Sequence, residues 1–288
     1  MFTHLSDLAK GLIFYGIVYV LAIAFTFAPL DGESVARYSM FIPLFVVLLM
    51  LLVVTPDGHS RGGWASLGLH HAGFRGWPLA ILVPPVVIGV AFGIVWATGF
   101  ASYKDPGLDA AGWTIGLGQG IVGNLVFATL TFSLAEEIGW RGYLLPKLVP
   151  AAGAVPAMAL TGLMHGAFHL PLILLTSFYH PDGNRLIVVP LFLAAFTIGG
   201  LLYGYLRLTY DSTWPASLAH STHNYAWALF GSLTIASSPV AAEYLAGESG
   251  ILIIIGYGIV AAWLLRGFRT RTAERRVAVG DALAPASH

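Results

Sequence analysis

Eight runs of mostly apolar residues, each close to the length of a membrane-spanning helix, constrain the fold of this chain more than any other feature. A helix that crosses the hydrocarbon core of a bilayer needs about 20 apolar residues. Only 10% of the residues are charged, against about 25% in a typical soluble domain. The pattern predicts an all-α polytopic membrane protein, with about eight transmembrane helices around a central polar cavity. The predicted spans are 11–30, 37–55, 77–100, 115–137, 154–177, 186–207, 212–231 and 249–266.

These spans predict one transmembrane domain over residues 1–266, followed by a basic, mobile cytoplasmic tail at 267–288. The seventh span is the least apolar, because it contains several polar residues in its middle. Gly200 and Gly204 in the sixth span, and Gly116 and Gly120 in the fourth, have the four-residue spacing that lets helix backbones approach closely. We therefore expect close helix packing at both pairs.

The distribution of Lys and Arg predicts the orientation, since these residues accumulate in cytoplasmic loops. With eight spans and the N-terminus inside, only Arg37, Lys104 and Arg185 of the 14 basic residues fall in outer segments. Both termini are therefore expected in the cytoplasm.

Charge and cysteine content exclude several classes of function. The formal net charge is zero, which argues against a nucleic-acid partner. The chain has no cysteine, which excludes a disulfide framework, a thiolate metal site and a cysteine nucleophile.

The segment "EEIGWR" at 136–141 places two carboxylates and a guanidinium in an apolar region. Glu137 and Arg141 are four residues apart, so they share one helix face and can form an ion pair. Glu136 is rotated by roughly 100° from Glu137 and faces another partner. Taken alone, the pair of acids is also typical of carboxylates solvated at a membrane surface.

Two later spans carry histidines at helical spacing. His165 and His169 are four residues apart in "LMHGAFHLP", and His220 and Asn224 are four apart in "WPASLAHSTHNYAW", with His223 offset. Each group alone is explained by hydrogen bonds between helices. Ionisable residues at membrane depth are nevertheless costly and indicate a functional site.

Together, the three clusters can perform chemistry on water. A glutamate can take a proton from water, a histidine can orient that water, and a histidine–asparagine pair can stabilise an oxyanion. The same residue types could instead hold a divalent metal ion such as zinc.

The three motifs, in this order on three predicted spans, resemble the CAAX-protease and bacteriocin-processing family of intramembrane proteases, relatives of the type II CAAX prenyl endopeptidase. The words "EEIGWRGYLLP", "FHLPL" and "WPASLAH" carry the resemblance, over roughly residues 115–230. It implies an endopeptidase in a bacterial inner membrane, acting on a membrane-associated peptide or protein in contact with the lipid bilayer.

By position, the resemblance implies Glu136 as the base that activates water and His169 as a residue that helps to hold it. His220 and Asn224 would stabilise the oxyanion. The family is often described as metalloproteases; we expect a glutamate–histidine mechanism without metal, although the sequence does not decide between this and a divalent ion such as zinc. With Glu136 expected near the inner end of the fourth span, the cavity is predicted to open to the cytoplasm.

The resemblance further implies a supporting ion pair between Glu137 and Arg141. The sequence departs from the family at His165, where an aromatic residue is usual. This histidine is either an extra ligand or proton carrier, or a replacement for one wall of the pocket.

Three other functions compete. A non-catalytic immunity or scaffold protein of the same family would bind a peptide in the cavity. A bis-histidine haem protein would use pairs among the four membrane histidines, but leaves "EEIGWR" unexplained. A proton-coupled transporter could also use buried Glu and His, although the chain shows no internal repeat.

Overall fold

The computed structural model describes residues 2, 4–176 and 183–283, and most of these residues are helical. The α-helices, in chain order, are α1 Asp7–Thr26, α2 Gly32–Ser39, α3 Ile42–Leu49, α4 Arg61–Ala65, α5 Trp77–Ala97, α6 Ala110–Gly120, α7 Phe132–Glu137, α8 Leu145–Ala152, α9 Ala154–Phe168, α10 Leu170–Leu175, α11 Arg185–Tyr210, α12 Trp214–Ser232, α13 Pro239–Ala246 and α14 Ile251–Leu283. Three π-helical turns occupy Met50–Val54, Ile121–Ala128 and Ile138–Leu144. Short 3₁₀ turns occupy Asp57–His59 and Phe74–Gly76.

One small sheet accompanies the helices in the part of the chain that the structure describes. The antiparallel strands β1 (Ala101–Tyr103) and β2 (Thr234–Ala236) pair Ser102 with Ile235 at their centre. The sheet joins the end of α5 to the end of α12.

Seven helical segments of the described chain are long and apolar enough to cross a bilayer, which confirms the predicted all-α polytopic class. They are Asp7–Thr26, Gly32–Val54, Phe74–Ala97, Ala110–Ala152, Ala154–Leu175, Arg185–Tyr210 and Glu243–Phe268. The predicted span 212–231 is a helix, α12, but its polar residues keep it out of this group. The last helix continues to Leu283, and the mobility of the tail stays a prediction.

The fourth span differs from its prediction, because the helical segment does not end at Glu137 but runs on to Ala152. It is interrupted at Thr131, whose backbone leaves the helical region at φ −125° and ψ −92°. The ring of Phe132 lies 5.4 Å from that of Phe41. Glu136 therefore lies beside the middle of the second span, and not near the inner end of the fourth.

Ion pairs bring the predicted inner ends of three spans close together. Lys10 Nζ lies 2.8 Å from Asp57, and Lys147 Nζ lies 2.7 Å from Asp7. The ends of α1, α3 and α8 thus meet at one end of the bundle. Which side of the membrane this end faces stays a prediction.

The predicted close packing is confirmed in the sixth span; in the fourth span it is confirmed at Gly120, where a Cβ would overlap the Tyr225 ring, and not at Gly116. A Cβ built on Gly200 would lie 2.6 Å from Gly162 Cα, and one on Gly204 would lie 2.5 Å from Met158 Cγ. A Cβ on Gly116 would meet no atom of the described chain within 4 Å. Close approach therefore fixes α11 against α9, which carries His165.

We expect Gly200→Ala to destabilise the protein, because its methyl group would press on the backbone of Gly162. Overpacking of this kind costs about 1–3 kcal/mol. Gly199→Ala is the matched control, since a Cβ there meets no described atom within 4 Å. Thermal unfolding in detergent should show a lower midpoint for Gly200→Ala alone, and equal midpoints would contradict the packing described.

Candidate active site

The "EEIGWR" segment spans the junction between α7 and the following π-helical turn. Glu136 and Glu137 end α7, and Arg141 lies within the turn Ile138–Leu144. π-helical turns recur at functional sites. All three side chains are at most 1% exposed, and Arg141 Nη1 lies 2.9 Å from Glu137 Oε1. The predicted ion pair is therefore confirmed, and it is fully buried.

Arg141 also contacts the second motif. Its Nη1 lies 3.0 Å from His165 Nδ1 on α9, and its guanidinium lies 4.9 Å from the centre of the Tyr203 ring. Arg is always protonated and only donates hydrogen bonds. His165 Nδ1 is therefore the acceptor, and the proton of the neutral imidazole is assigned to Nε2.

The Nε2–H group of His165 points to the first carboxylate. It lies 3.4 Å from Glu136 Oε2. Neither His165 Nε2 nor Glu136 Oε1 makes a hydrogen bond to any described residue, although both atoms are buried. Buried polar atoms without a partner are rare and call for an explanation. One donor and one acceptor, side by side, form a place for water or for a polar substrate group.

His220 on α12 contacts both carboxylates. Its Nδ1 lies 3.1 Å from Glu137 Oε1, and its Nε2 lies 3.6 Å from Glu136 Oε2. The Tyr203 ring lies nearly parallel to the imidazole, with 6.1 Å between the ring centres. Glu136 therefore lies close to the third motif, as expected.

The network can be electrically neutral with both carboxylates ionised. Arg141 supplies one positive charge, and a His220 that carries both ring protons supplies the second. Its two N–H groups then face Glu137 and Glu136. Isolated charges are expensive in an apolar medium, and pairing reduces that cost.

A cavity of about 610 Å³ connects the predicted site residues. Those that line it are Glu136, Arg141, His169, His220 and Asn224. Glu137 does not line the cavity, and it contacts the lining residues Arg141 and His220 on their side away from the cavity. The cavity is large enough to hold a short peptide segment.

His169 and Asn224 reach the cavity from two different helices. His169 follows α9, and its ring centre lies 5.4 Å from that of His165. Asn224 lies one turn after His220 on α12. All three motifs therefore border the same space.

The mouth of the cavity lies at the end opposite the Lys10–Asp57 pair, which differs from the predicted opening. Glu33 and Arg37 at the start of the second span line it, and their side chains are 68% and 52% exposed. Phe127 and Trp227 are exposed lining residues on neighbouring helices. In the predicted orientation, this mouth faces the outer side.

A metal ion fits the group of Glu136, His165 and His169 poorly. Donor atoms of Glu136, His165 and His169 all lie within 4.8 Å of one another. A ligating imidazole needs a free lone pair, however, and Arg141 fixes the proton of His165 on the nitrogen that faces Glu136. The other nitrogen faces the guanidinium charge. His165 therefore acts as a hydrogen-bond donor in this network and not as a ligand.

The sequence did not single out the polar contacts that attach α12 to the interrupted fourth span. Ser217 Oγ donates to the Thr129 carbonyl oxygen at 2.7 Å, and Ser221 Oγ donates to Ser133 Oγ at 2.8 Å. Ser217 and Ser221 are four residues apart, a spacing that could have indicated one polar helix face. The contacts hold His220 opposite α7.

Two tyrosines were also missed. Tyr203 packs on Arg141 and His220, and Tyr257 OH lies 2.8 Å from His223 Nδ1. Tyrosine is common in membrane helices, so neither residue stood out. His223 borders the cavity but makes this contact instead of one with Glu136.

Residues 118–226 match the family model described as "Rce1-like: Type II CAAX prenyl endopeptidase Rce1-like". The match includes the three motifs, and it confirms the resemblance found in the sequence. No curated protein matches the chain in sequence. The match points to a peptidase of the CAAX type, and with the seven apolar segments it indicates an integral membrane protein with a peptide or protein substrate.

We expect Arg141→Met to be strongly destabilising, since it leaves Glu137 buried without its cation. Breaking a buried pair costs about 3–5 kcal/mol. Arg37→Met is the matched control, because Arg37 pairs with Glu33 at the same four-residue spacing on an exposed surface, where such pairs contribute about 0–1 kcal/mol. Denaturant unfolding in mixed micelles measures both variants. Equal losses of unfolding free energy in the two variants would show that burial does not determine how much the Glu137–Arg141 pair contributes to stability.

Proposed function

We propose that this chain is an intramembrane endopeptidase that hydrolyses a peptide bond of a membrane-associated peptide or protein. The observation that carries the proposal is Glu136, whose Oε1 is buried without a hydrogen bond to a described residue and which borders a cavity shared with the two histidine-bearing segments. The family match supports the same reaction class.

In the proposed mechanism, Glu136 accepts a proton from a water molecule bound at its free oxygen. The resulting hydroxide attacks the peptide carbonyl carbon. The proton then passes from Glu136 to the leaving nitrogen as the C–N bond breaks. A ring nitrogen of His169 lies within 4.8 Å of a carboxylate oxygen of Glu136, and His169 helps to hold the water.

His220 and Asn224 stabilise the negative charge that develops on the carbonyl oxygen. A His220 that carries both ring protons keeps Nδ1–H on Glu137 and offers Nε2–H to the oxyanion, while Asn224 offers its amide from the next turn of α12. Donors fixed in advance inside an apolar cavity are effective because no solvent must reorganise.

Glu137, Arg141 and His165 act through other groups. Glu137 orients His220, and Arg141 orients His165, which in turn donates toward Glu136 or its water. We therefore assign His165 as a positioning residue. This role differs from both interpretations of the departure from the family, an extra ligand or proton carrier and a replacement for one wall of the pocket.

The mechanism uses no metal, because His165 Nδ1 accepts a hydrogen bond from Arg141 and the ring proton is therefore on Nε2, which faces Glu136. A divalent ion such as zinc would have only Glu136 and His169 left from the described group, and catalytic zinc sites usually have three protein ligands.

The substrate class follows from the cavity. The cavity is lined by the polar site residues and by the aromatic side chains of Phe132, Phe196 and Trp227. This combination suits an extended peptide with apolar side chains that enters from the membrane. We propose a location in the bacterial inner membrane with both termini cytoplasmic, and no nucleic-acid partner.

We expect Glu136→Gln to abolish proteolysis while the protein stays folded, because the amide cannot accept the proton from water. Wild type and variant are reconstituted in liposomes with a library of membrane-anchored peptides, and new termini are identified by mass spectrometry. Equal gel-filtration profiles and unfolding midpoints serve as the folding control. New termini that appear equally with the variant would show that Glu136 is not the base, and no new termini with wild type would favour the non-catalytic peptide-binding function instead.

We expect His165→Phe to lower kcat by about tenfold to a hundredfold, the loss typical of a misplaced reacting group, with KM little changed. His165→Gln should retain more activity, since its carbonyl can accept from Arg141 while its amide donates toward Glu136. Steady-state kinetics on a cleaved peptide from the library measures both variants. Full kcat in His165→Phe would show that the side chain only fills the pocket wall.

A further inference from the structure

A second cluster of metal-ligating side chains lies outside the cavity, where the loop after α4 meets the junction of α11 and α12. Three carbonyl oxygens of the loop accept hydrogen bonds from this junction. Thr213 Oγ1 donates to Leu67 O at 2.6 Å, Thr213 N to Gly68 O at 2.9 Å, and Ser212 Oγ to His71 O at 2.7 Å. Ser212 and Thr213 are fully buried. The loop is therefore fixed to the start of α12.

Two glycines permit this contact. Gly68 and Gly73 both have positive φ, at 70° and 62°. A Cβ at Gly68 would lie 2.8 Å from Arg207 Cζ, and one at Gly73 would lie 2.7 Å from Ser212 Cβ. The backbone of the loop thus lies directly against α11 and the junction.

This arrangement brings two imidazoles and a carboxylate together at the surface. Ligand atoms of His70, His71 and Asp211 lie within 4.8 Å of one another, and all three residues are exposed. Asp211 has φ 48° and is the one non-glycine residue with positive φ in the described chain. This left-handed turn ends α11 and places the carboxylate beside the two rings.

Arg207 supports the carboxylate from the protein side. Its Nη1 donates to Asp211 Oδ1 at 2.8 Å, and its Nη2 donates to Ser66 O at 2.8 Å. Ligating carboxylates are usually hydrogen-bonded in this way, which fixes their orientation. The guanidinium occupies one carboxylate oxygen, and a carboxylate can bind an ion through the other.

We propose that His70, His71 and Asp211 form a binding site for a divalent transition-metal ion of the zinc class, separate from the cavity. Imidazole prefers zinc, copper and nickel, whereas magnesium and calcium prefer all-oxygen sites. Ligand atoms around tetrahedral zinc are roughly 3.4 Å apart for bonds near 2.0–2.1 Å. Exposed side chains can close from 4.8 Å to this spacing by rotation about their own bonds. Three protein ligands leave a fourth position for water.

The position of the site gives the ion a structural role. Asp211 follows the cavity residue Tyr203 by eight residues, about 12 Å along a helix. A bound ion would connect the loop after α4 to the end of α11, directly before the helix that carries His220 and Asn224. Because an ion that binds only the folded state stabilises it, zinc should raise the unfolding temperature.

The test is calorimetric titration of the chelator-treated full-length protein in detergent with zinc chloride. We expect one saturable equivalent and a higher unfolding midpoint. The double variant His70→Ala/His71→Ala should lose this equivalent. Asp211→Asn should weaken zinc binding by about tenfold or more, since even the loss of a residue that only hydrogen-bonds to a ligand costs that much affinity. The asparagine still tolerates the left-handed backbone at this position.

His59→Ala is the matched control, since His59 is an exposed histidine in the preceding turn and outside the described cluster. It should bind zinc as wild type does. Glu136→Gln should also bind one equivalent, which separates this site from the cavity and from the proposed hydrolysis. Absence of zinc binding in wild type, or full binding in both the double variant and Asp211→Asn, would overturn the proposal.

Discussion

The buried ion pair between Glu137 and Arg141 is the interaction on which the rest of the site depends. Two charges enter an apolar interior only when each has a partner. Each member of this pair also orients a histidine: Arg141 donates to His165, and Glu137 accepts from His220. Both imidazoles consequently face Glu136. A pair that lines little of the cavity thus determines the surroundings of the one carboxylate proposed to do chemistry.

The helices are shaped to bring these groups together in the interior of the bundle. The fourth span is interrupted at Thr131, and the polar helix α12 lies against that interruption through Ser217 and Ser221. Carbonyl groups released by a break in a helix need donors inside a membrane, and Ser217 supplies one at Thr129. Two polar residues of this weak membrane span, Ser217 and Ser221, therefore attach α12 to the interrupted fourth span and place His220 opposite α7.

The sequence predicted what depends on local periodicity, and failed where contacts between helices decide. A spacing of four residues places Glu137 beside Arg141 in any helix, so that pair was predictable. The hydrogen bond from Arg141 to His165 joins residues 24 positions apart, and no periodicity encodes it. Hydropathy marks where apolar residues end, so it stopped the fourth span at Glu137, although buried pairing lets the helix continue to Ala152. For the same reason the depth of Glu136 and the position of the cavity mouth differ from expectation.

The central claim is that Glu137 and Arg141 act as one unit. A double-mutant cycle with Glu137→Gln and Arg141→Met, followed by denaturant unfolding in mixed micelles, tests it most directly. The account predicts that the double variant is more stable than the sum of the two single losses implies, with a coupling of about 1–3 kcal/mol. Additive losses, within about 0.5 kcal/mol, would contradict the claim and leave His165 and His220 without the interaction that orients them.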